Sequence, residues 1–152
     1  MWPDAMTPIE SSSRPPDGVR PPTRGRRMLI VDDNRDAADS LGMLMKAMGN
    51  DTRVAYDGSE ALAIALQFHP EVVLLDIGLP TMSGYDVARE LRRRPGGAML
   101  LLIATTGWSQ PADKQHAREA GFDHHMVKPA DPGALVKLVN GRPGRVPPDE
   151  TR

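Results

Sequence analysis

The sequence contains no cysteine among its 152 residues. This absence excludes a disulfide framework, a thiolate metal site and a cysteine nucleophile. Long hydrophobic runs are also missing, because runs such as 72–75 and 99–104 fall far short of the roughly 18 residues that a membrane-spanning helix needs. Residues 1–27 lack the continuous apolar core of a secretory signal. We therefore expect a soluble, cytoplasmic protein that does not insert into a membrane.

What is present is the composition of one globular domain. Hydrophobic residues make up 39% of the chain, which is an ordinary share once glycine is added. A chain of this length can bury about two-thirds of the surface that its unfolded form exposes. We expect one domain rather than a multidomain enzyme.

Proline and charge divide the chain into a domain and two tails. Nine of the 15 prolines lie in residues 1–27 and 141–152, which offer little to bury and are expected to be disordered. The tails together carry +3, so residues 28–140 carry −4 in a chain whose net charge is −1. A nucleic-acid surface needs clustered lysine and arginine, so we expect this acidic domain to make no direct contact with nucleic acid.

Within residues 28–140, short apolar runs alternate with segments of helical period. The five strand candidates are residues 28–31, 52–55, 72–75, 99–104 and 124–127. Apolar residues at three- and four-residue steps indicate the helices: Leu41, Leu44, Met45 and Met48, then Leu62, Ala65 and Leu66, then Val87 and Leu91, a weakly apolar stretch at about 112–120, and finally Leu135, Leu138 and Val139. Strand and helix in alternation imply right-handed crossovers and a sheet covered on both faces. The predicted fold class is therefore α/β, a doubly wound parallel sheet of five strands.

Charged residues mark two of the helix ends. Asp57 and Glu60 are placed like an N-cap and its partner at the start of the second helix. Arg92, Arg93 and Arg94 close the third helix, where cations complement the helix dipole. We interpret this triplet as structural rather than as a binding patch.

Polar residues collect just after several of the strands, which is where α/β sheets bind their ligands. They are Asp32 and Asp33 after the first strand, Asp76 after the third, Thr105 and Thr106 after the fourth, and Lys128 after the fifth. If the first and third strands are neighbours, three carboxylates meet, and their repulsion raises a pKa or demands a cation. Oxygen ligands without histidine or cysteine favour Mg²⁺ over zinc.

At these positions the chain resembles the receiver domains of two-component response regulators. The resemblance rests on Val31-Asp32-Asp33-Asn34, Leu75-Asp76-Ile77-Gly78-Leu79-Pro80 followed by Met82-Ser83-Gly84, Thr106-Gly107, and Lys128-Pro129, in this order. It implies the flavodoxin-like receiver fold with strand order 2-1-3-4-5. It covers residues 28–140 and leaves the tails outside.

The resemblance also implies roles for individual residues. Asp76 accepts a phosphoryl group from a phosphohistidine on a sensor histidine kinase or a histidine phosphotransfer protein. Asp33, Asp76 and the carbonyl of Gly78 bind Mg²⁺ directly, while Asp32 acts mainly through water. Lys128 pairs with a phosphoryl oxygen. The protein is then a signalling domain whose only chemistry is its own phosphotransfer and dephosphorylation.

The same resemblance assigns the conformational switch to Thr106, because Thr106 precedes the small residue Gly107. Thr105 is the alternative residue for this role. His125 stands three residues before the lysine, where family members often have tyrosine or phenylalanine. It is an ordinary strand residue or a group whose titration couples signalling to pH. Trp108 packs at the start of the fourth helix or shields the phosphoryl group, and Lys128-Pro129 is cis or trans.

Two other functions remain as alternatives. A Mg²⁺-dependent phosphohydrolase also has an aspartyl nucleophile after a parallel strand, but it usually has a second aspartate where this chain has Gly78. A non-phosphorylated interaction module on a receiver-like scaffold is the second alternative. Because 12 residues follow the fifth helix, we expect output through a downstream protein target or a homodimer formed on phosphorylation. The chain is then a single-domain regulator or a receiver derived from a larger kinase.

Overall fold

A computed structural model of the protein describes residues 25–107 and 111–141. Its strands are β1 (Arg27–Val31), β2 (Asp51–Ala55), β3 (Val72–Asp76), β4 (Leu101–Thr106) and β5 (His124–Val127). Its helices are α1 (Arg35–Ala47), α2 (Gly58–Phe68), α3 (Gly84–Arg93), α4 (Pro111–Ala120) and α5 (Pro132–Asn140). Most of the two predicted tails, and Trp108, lie outside the described residues, so the domain limits stay a prediction.

The strands form one parallel sheet in the order β2-β1-β3-β4-β5. Alternate residues of the central strands face opposite layers of the core. Leu29, Val73 and Leu102 belong to the layer that includes residues of α2, α3 and α4. Met28, Val72 and Leu101 belong to the layer that includes residues of α1 and α5. Both faces of the sheet are therefore covered, which confirms the predicted doubly wound α/β fold.

Side chains cap several of the helices in the way that their sequences allow. Asp57 accepts a hydrogen bond from the Glu60 N–H at 2.8 Å, as predicted. Asn34, Ser83 and Asp131 cap α1, α3 and α5 in the same way. Each cap satisfies a backbone donor that the first helical turn leaves without a partner. The caps therefore determine the residues at which the loops of the carboxyl edge end and the helices begin.

The fourth strand begins later than the apolar run at 99–104 predicts. Residues Gly97–Met99 form a single 3-10 turn, and β4 starts at Leu101. The guanidinium of Arg92 donates to the carbonyls of Gly97 and Leu100 at 2.7 and 2.8 Å. Because these carbonyls already accept bonds from Arg92, the residues before Leu101 do not need to pair in the sheet. At its other end β4 includes Thr105 and Thr106, whose register partners are Asp76 of β3 and Val127 of β5, so the threonines end the strand instead of following it.

Arg92 also reaches the connection between α4 and β5. Its Nε and Nη2 donate to the carbonyl of Gly121 at 2.9 and 2.6 Å, and Nη2 lies 2.9 Å from Oδ2 of Asp123. Gly121 has φ +109, and a Cβ there would lie 2.9 Å from Cγ of Arg92. This geometry supports the structural interpretation of the arginine at the end of α3.

Among residues 25–107 and 111–141, none of the helices combines the length and the apolar content that crossing a bilayer demands.

Candidate functional site

Three aspartates converge at the carboxyl edge of the sheet. β1 and β3 are neighbours, so the loop after β1, which carries Asp32 and Asp33, lies beside Asp76 at the end of β3. One carboxylate oxygen from each residue lies within 4.8 Å of the others. The structure thus brings together the three acidic residues that the sequence analysis singled out.

Lys128 lies in the same place. Its Nζ is 2.8 Å from Oδ2 of Asp76 and 3.3 Å from Oδ2 of Asp32. The backbone N–H of Lys128 donates to the carbonyl of Thr106 at 2.7 Å, which ties the loop after β5 to the end of β4. The Lys128-Pro129 peptide bond is cis, which answers the question that the sequence left open.

Backbone groups orient the carboxylates. Asp76 is 3% exposed, and its Oδ1 accepts a hydrogen bond from the Gly78 N–H at 2.9 Å. Asp32 accepts a hydrogen bond from the Asn34 N–H, also at 2.9 Å. Such donors offset part of the cost of burying a carboxylate. The carbonyl of Gly78 as a metal ligand stays a prediction.

The charges at this edge change one another's proton affinity. Burial raises the pKa of the Asp32 carboxyl, although the Asn34 N–H and the charge of Lys128 act in the opposite direction. Burial by itself lowers the pKa of the Lys128 ammonium, but its hydrogen bond to Asp76 and the charges of Asp76 and Asp32 outweigh burial, so the net pKa is raised. Lys128 is therefore a cation at neutral pH.

The two threonines at the end of β4 differ in burial and in register. Thr105 is 4% exposed and is the register partner of Asp76. Thr106 is half-buried and is the register partner of Val127 in β5. Thr106 is therefore the more accessible of the two at the edge where Lys128 is anchored.

His125 lies within β5 and is half-buried, with Ala104 as its register partner. Its neighbour His124 is exposed. The pH-coupling role of His125 stays a prediction.

One group beside the site was not predicted from the sequence. Tyr56 follows β2 at the same edge and contacts Arg35 and Asp39 on the first turns of α1. The only signal for it was a tyrosine immediately after the second strand, because no spacing rule pairs residues that lie 17 or more positions apart.

A family model described as the response regulator receiver domain matches residues 28–140. The chain is 38% identical over 120 residues to the DNA-binding response regulator MtrA of Mycolicibacterium smegmatis, an alignment that covers 79% of this chain and 51% of that protein. This chain thus spans about half the length of that curated relative.

Solved structures agree with these matches. A CheY-like response regulator receiver domain protein from Methanospirillum hungatei superimposes with a TM-score of 0.70 at 28% identity, over 77% of this chain and 92% of that one. The receiver domain of the sensor histidine kinase PA1611 from Pseudomonas aeruginosa gives a TM-score of 0.70 at 25% identity, over 77% and 96%. That structure holds a magnesium ion in its active site cleft.

Proposed function

Since the chain belongs to the response regulator receiver domain family of two-component signalling, we propose that Asp76 accepts a phosphoryl group from a phosphohistidine of a sensor histidine kinase or histidine phosphotransfer protein. The observation that carries this proposal is a buried carboxylate held 2.8 Å from a lysine ammonium, beside two further carboxylates. The carboxyl edge of a parallel sheet is also where α/β folds bind their ligands.

The phosphoryl transfer uses Asp76 as the nucleophile. A carboxylate oxygen of Asp76 donates an electron pair to phosphorus, the bond from phosphorus to the imidazole nitrogen of the donor breaks, and that nitrogen leaves with the electron pair. The Gly78 N–H fixes Oδ1 and Lys128 fixes Oδ2. The chain therefore contributes positioning and charge, which are what phosphoryl transfer requires most.

The acidic residues fit a magnesium ion. The donor set is entirely oxygen, and the three carboxylates lie close enough to share one ion. In this proposal Asp33, Asp76 and the carbonyl of Gly78 bind Mg²⁺ directly, and Asp32 acts through water. When bound, the ion reduces the negative charge of the carboxylates and of the phosphoryl group, which alone carries about −2.

Lys128 and Thr106 convert phosphorylation into a signal. The ammonium of Lys128 moves its hydrogen bond from Asp76 to a phosphoryl oxygen, because Asp76 loses its negative charge when it is acylated. The hydroxyl of Thr106 donates to another phosphoryl oxygen and draws the end of β4 inward. A local change of charge thereby biases the surface that partners recognise.

The proposed partners are a histidine-containing phosphodonor and a downstream protein target, with a homodimer on phosphorylation as a further state. The relative MtrA is a DNA-binding response regulator, but the described domain here is acidic. We therefore propose that this domain signals through protein contacts and makes no direct contact with nucleic acid.

Intact-mass measurement after incubation with acetyl phosphate and Mg²⁺ tests the proposal. We expect the wild-type chain to gain one phosphoryl group and Asp76→Asn to gain none. Asp51→Asn is the matched control, because Asp51 is exposed at the start of β2, at the opposite edge of the sheet. Label on Asp76→Asn would contradict the assignment of the site. Turnover of a generic phosphate ester would instead indicate the phosphohydrolase alternative.

A further inference from the structure

A small cluster of side chains holds the segment that carries Asp32 and Asp33. The guanidinium of Arg35 stacks on the ring of Tyr56, with Cζ 4.1 Å from the ring centroid. The hydroxyl of Tyr56 donates to Oδ1 of Asp39. Since Arg35 and Asp39 are four residues apart on α1, they lie on the same face of that helix. Tyr56 therefore contacts the beginning of α1 at two points.

Hydrogen bonds also hold the backbone around Tyr56 at the end of β2. Its backbone N–H donates to Oε1 of Glu60 at 2.8 Å. The carbonyl of the preceding residue, Ala55, accepts a hydrogen bond from the Asp32 N–H at 3.1 Å. The pKa of the Tyr56 phenol is raised, chiefly because the phenol donates its proton to Asp39. The hydroxyl is thus protonated, and able to donate, at neutral pH.

Asp33 lies between these fixed points. On one side, the Asp32 N–H is bonded to Ala55. On the other, Asn34 caps α1, whose first turns are held by Tyr56. Asp33 is exposed, and within the described part of the chain no hydrogen bond is made to its carboxylate. The position of this carboxylate consequently depends on its backbone.

We propose that Tyr56 is a positioning residue for the acidic cluster: by joining the end of β2 to the first turns of α1, it holds Asp33 within reach of Asp32 and Asp76. This inference rests on the proposed function, because Mg²⁺ is the ligand that Asp33 would bind. Tyr56 acts through the segment between the two elements and does not touch the ion.

A purely electrostatic role for Arg35 and a stacking role predict opposite effects on Mg²⁺ binding when Arg35 is removed. Arg35 is a cation two residues from Asp33, so its removal would strengthen Mg²⁺ binding if only its charge mattered. If Arg35 acts by stacking on Tyr56, its removal weakens Mg²⁺ binding. The substitution Arg35→Met therefore separates the two explanations.

The test combines Mg²⁺ titration by calorimetry with amide hydrogen exchange of the metal-free protein. The variants are Tyr56→Phe, which keeps the ring and loses the hydroxyl, Tyr56→Ala and Arg35→Met. Tyr85→Phe is the matched control, because Tyr85 is the other of the 2 tyrosines and its ring packs against His116 with centroids 5.8 Å apart.

We expect the dissociation constant for Mg²⁺ to rise about threefold in Tyr56→Phe and about tenfold in Tyr56→Ala. Arg35→Met weakens binding as well, and Tyr85→Phe leaves it unchanged. In the metal-free protein, the amides of Asp32 and Asn34, which donate to the carbonyl of Ala55 and to Oδ1 of Asp32, exchange faster in both Tyr56 variants than in the wild type.

Unchanged Mg²⁺ affinity in both Tyr56 variants, or tighter binding in Arg35→Met, would overturn the positioning role. If the wild-type protein binds no Mg²⁺, the metal part of the proposed function fails. The exchange rates then decide the inference alone: faster exchange at Asp32 and Asn34 in Tyr56→Phe supports it, and unchanged exchange overturns it.

Discussion

Asp32 is a residue at which the proposed function opposes stability. Its side chain is 14% exposed, and burial raises its carboxyl pKa despite the donors that surround it. A carboxyl with a raised folded-state pKa binds protons more readily in the folded than in the unfolded chain. The folded state therefore loses stability as pH rises through the range between the unfolded and folded pKa values.

Asp32→Asn is accordingly expected to stabilise the metal-free protein at pH 7. The gain disappears below the unfolded carboxyl pKa, where Asp32 is protonated in both states. Urea unfolding from pH 3 to 7 without Mg²⁺ measures this gain in stability, with Asp51→Asn as the control. A gain that is equal at all pH values would show that the charge of Asp32 is not its source.

The charge of Lys128 stabilises the folded protein, whereas the charge of Asp32 destabilises it. Its ammonium lies beside the carboxylates of Asp32 and Asp76. Because the pKa of Lys128 is raised in the folded protein, the stabilisation by these ion pairs is complete below the ordinary lysine pKa. This stabilisation is lost as pH rises through the higher folded-state pKa. The interaction is therefore fully present at physiological pH.

Lys128→Ala is expected to leave a protein that is weakly phosphorylated and defective in signalling, because it removes the cation that we propose for the phosphoryl oxygen. The extent of phosphorylation by acetyl phosphate and the binding of the downstream target check this. Lys114→Ala, which removes an exposed lysine of α4, serves as the control. Wild-type signalling in Lys128→Ala would contradict the assigned role.

At the scale of single elements, the sequence predicted which helices and strands exist, and in what order, better than it predicted which face of each helix is buried. The apolar spacing in α1 includes Leu44, yet Leu44 is 37% exposed. The buried residues of α1 are Ala38, Gly42 and Met45. A Cβ at Gly42 would lie 2.7 Å from Cγ2 of Val54, so the helix approaches β2 through its small residues. Hydrophobicity alone does not identify such a face.

The first residue of α3 provides a test at the same scale. A Cβ on Gly84 would lie 2.4 Å from the carbonyl oxygen of Asp76 and 2.7 Å from Cα of Ile77. Because both atoms are backbone, Gly84→Ala must displace the end of β3 or the start of α3. We expect a loss of about 1–3 kcal/mol in the free energy of unfolding and slower phosphorylation.

Chemical denaturation and the acetyl phosphate reaction measure these two effects. Gly133→Ala is the matched control, because among the described residues a Cβ at Gly133 in α5 meets only Oδ2 of Asp131, at 3.6 Å. It is expected to be neutral, or to stabilise the helix by up to about 1 kcal/mol. Equal stability of the two variants would contradict the close approach at Gly84.

At the scale of the whole molecule, the order of the sheet explains why the sequence could predict that these side chains lie together. Asp32, Asp76 and Lys128 each lie at or just after the end of a strand, and a parallel sheet brings these ends to one edge. Contacts such as Tyr56 with Asp39 and Arg92 with Gly121 could not be predicted. They depend on side chains meeting across 17 and 29 positions, for which the sequence carries no periodic signal.

Arg92 connects distant parts of the fold, and its removal is expected to be costly. Arg92→Met removes the hydrogen bonds that Arg92 donates to the carbonyls of Gly97, Leu100 and Gly121, so we expect a loss of about 2–3 kcal/mol in the free energy of unfolding. Arg93→Met is the control, because the Arg93 side chain is 76% exposed and pairs only with Glu90 in the described part of the chain. Its effect should stay within about 0.5 kcal/mol. A similar loss in both variants would contradict the role of Arg92.

The bonds of Arg92 to Gly121 also determine how α4 can respond to events at the carboxyl edge. The end of α4 near Ala120 is pinned to α3, whereas its beginning follows the loop after Thr106. Because these bonds restrain the end of α4, we expect the beginning of the helix to move more than its end when the carboxyl edge changes. Amide chemical shifts on phosphorylation should change most near Lys114 and least near Ala120, and equal changes along the helix would show that the bonds at Gly121 do not restrain its end.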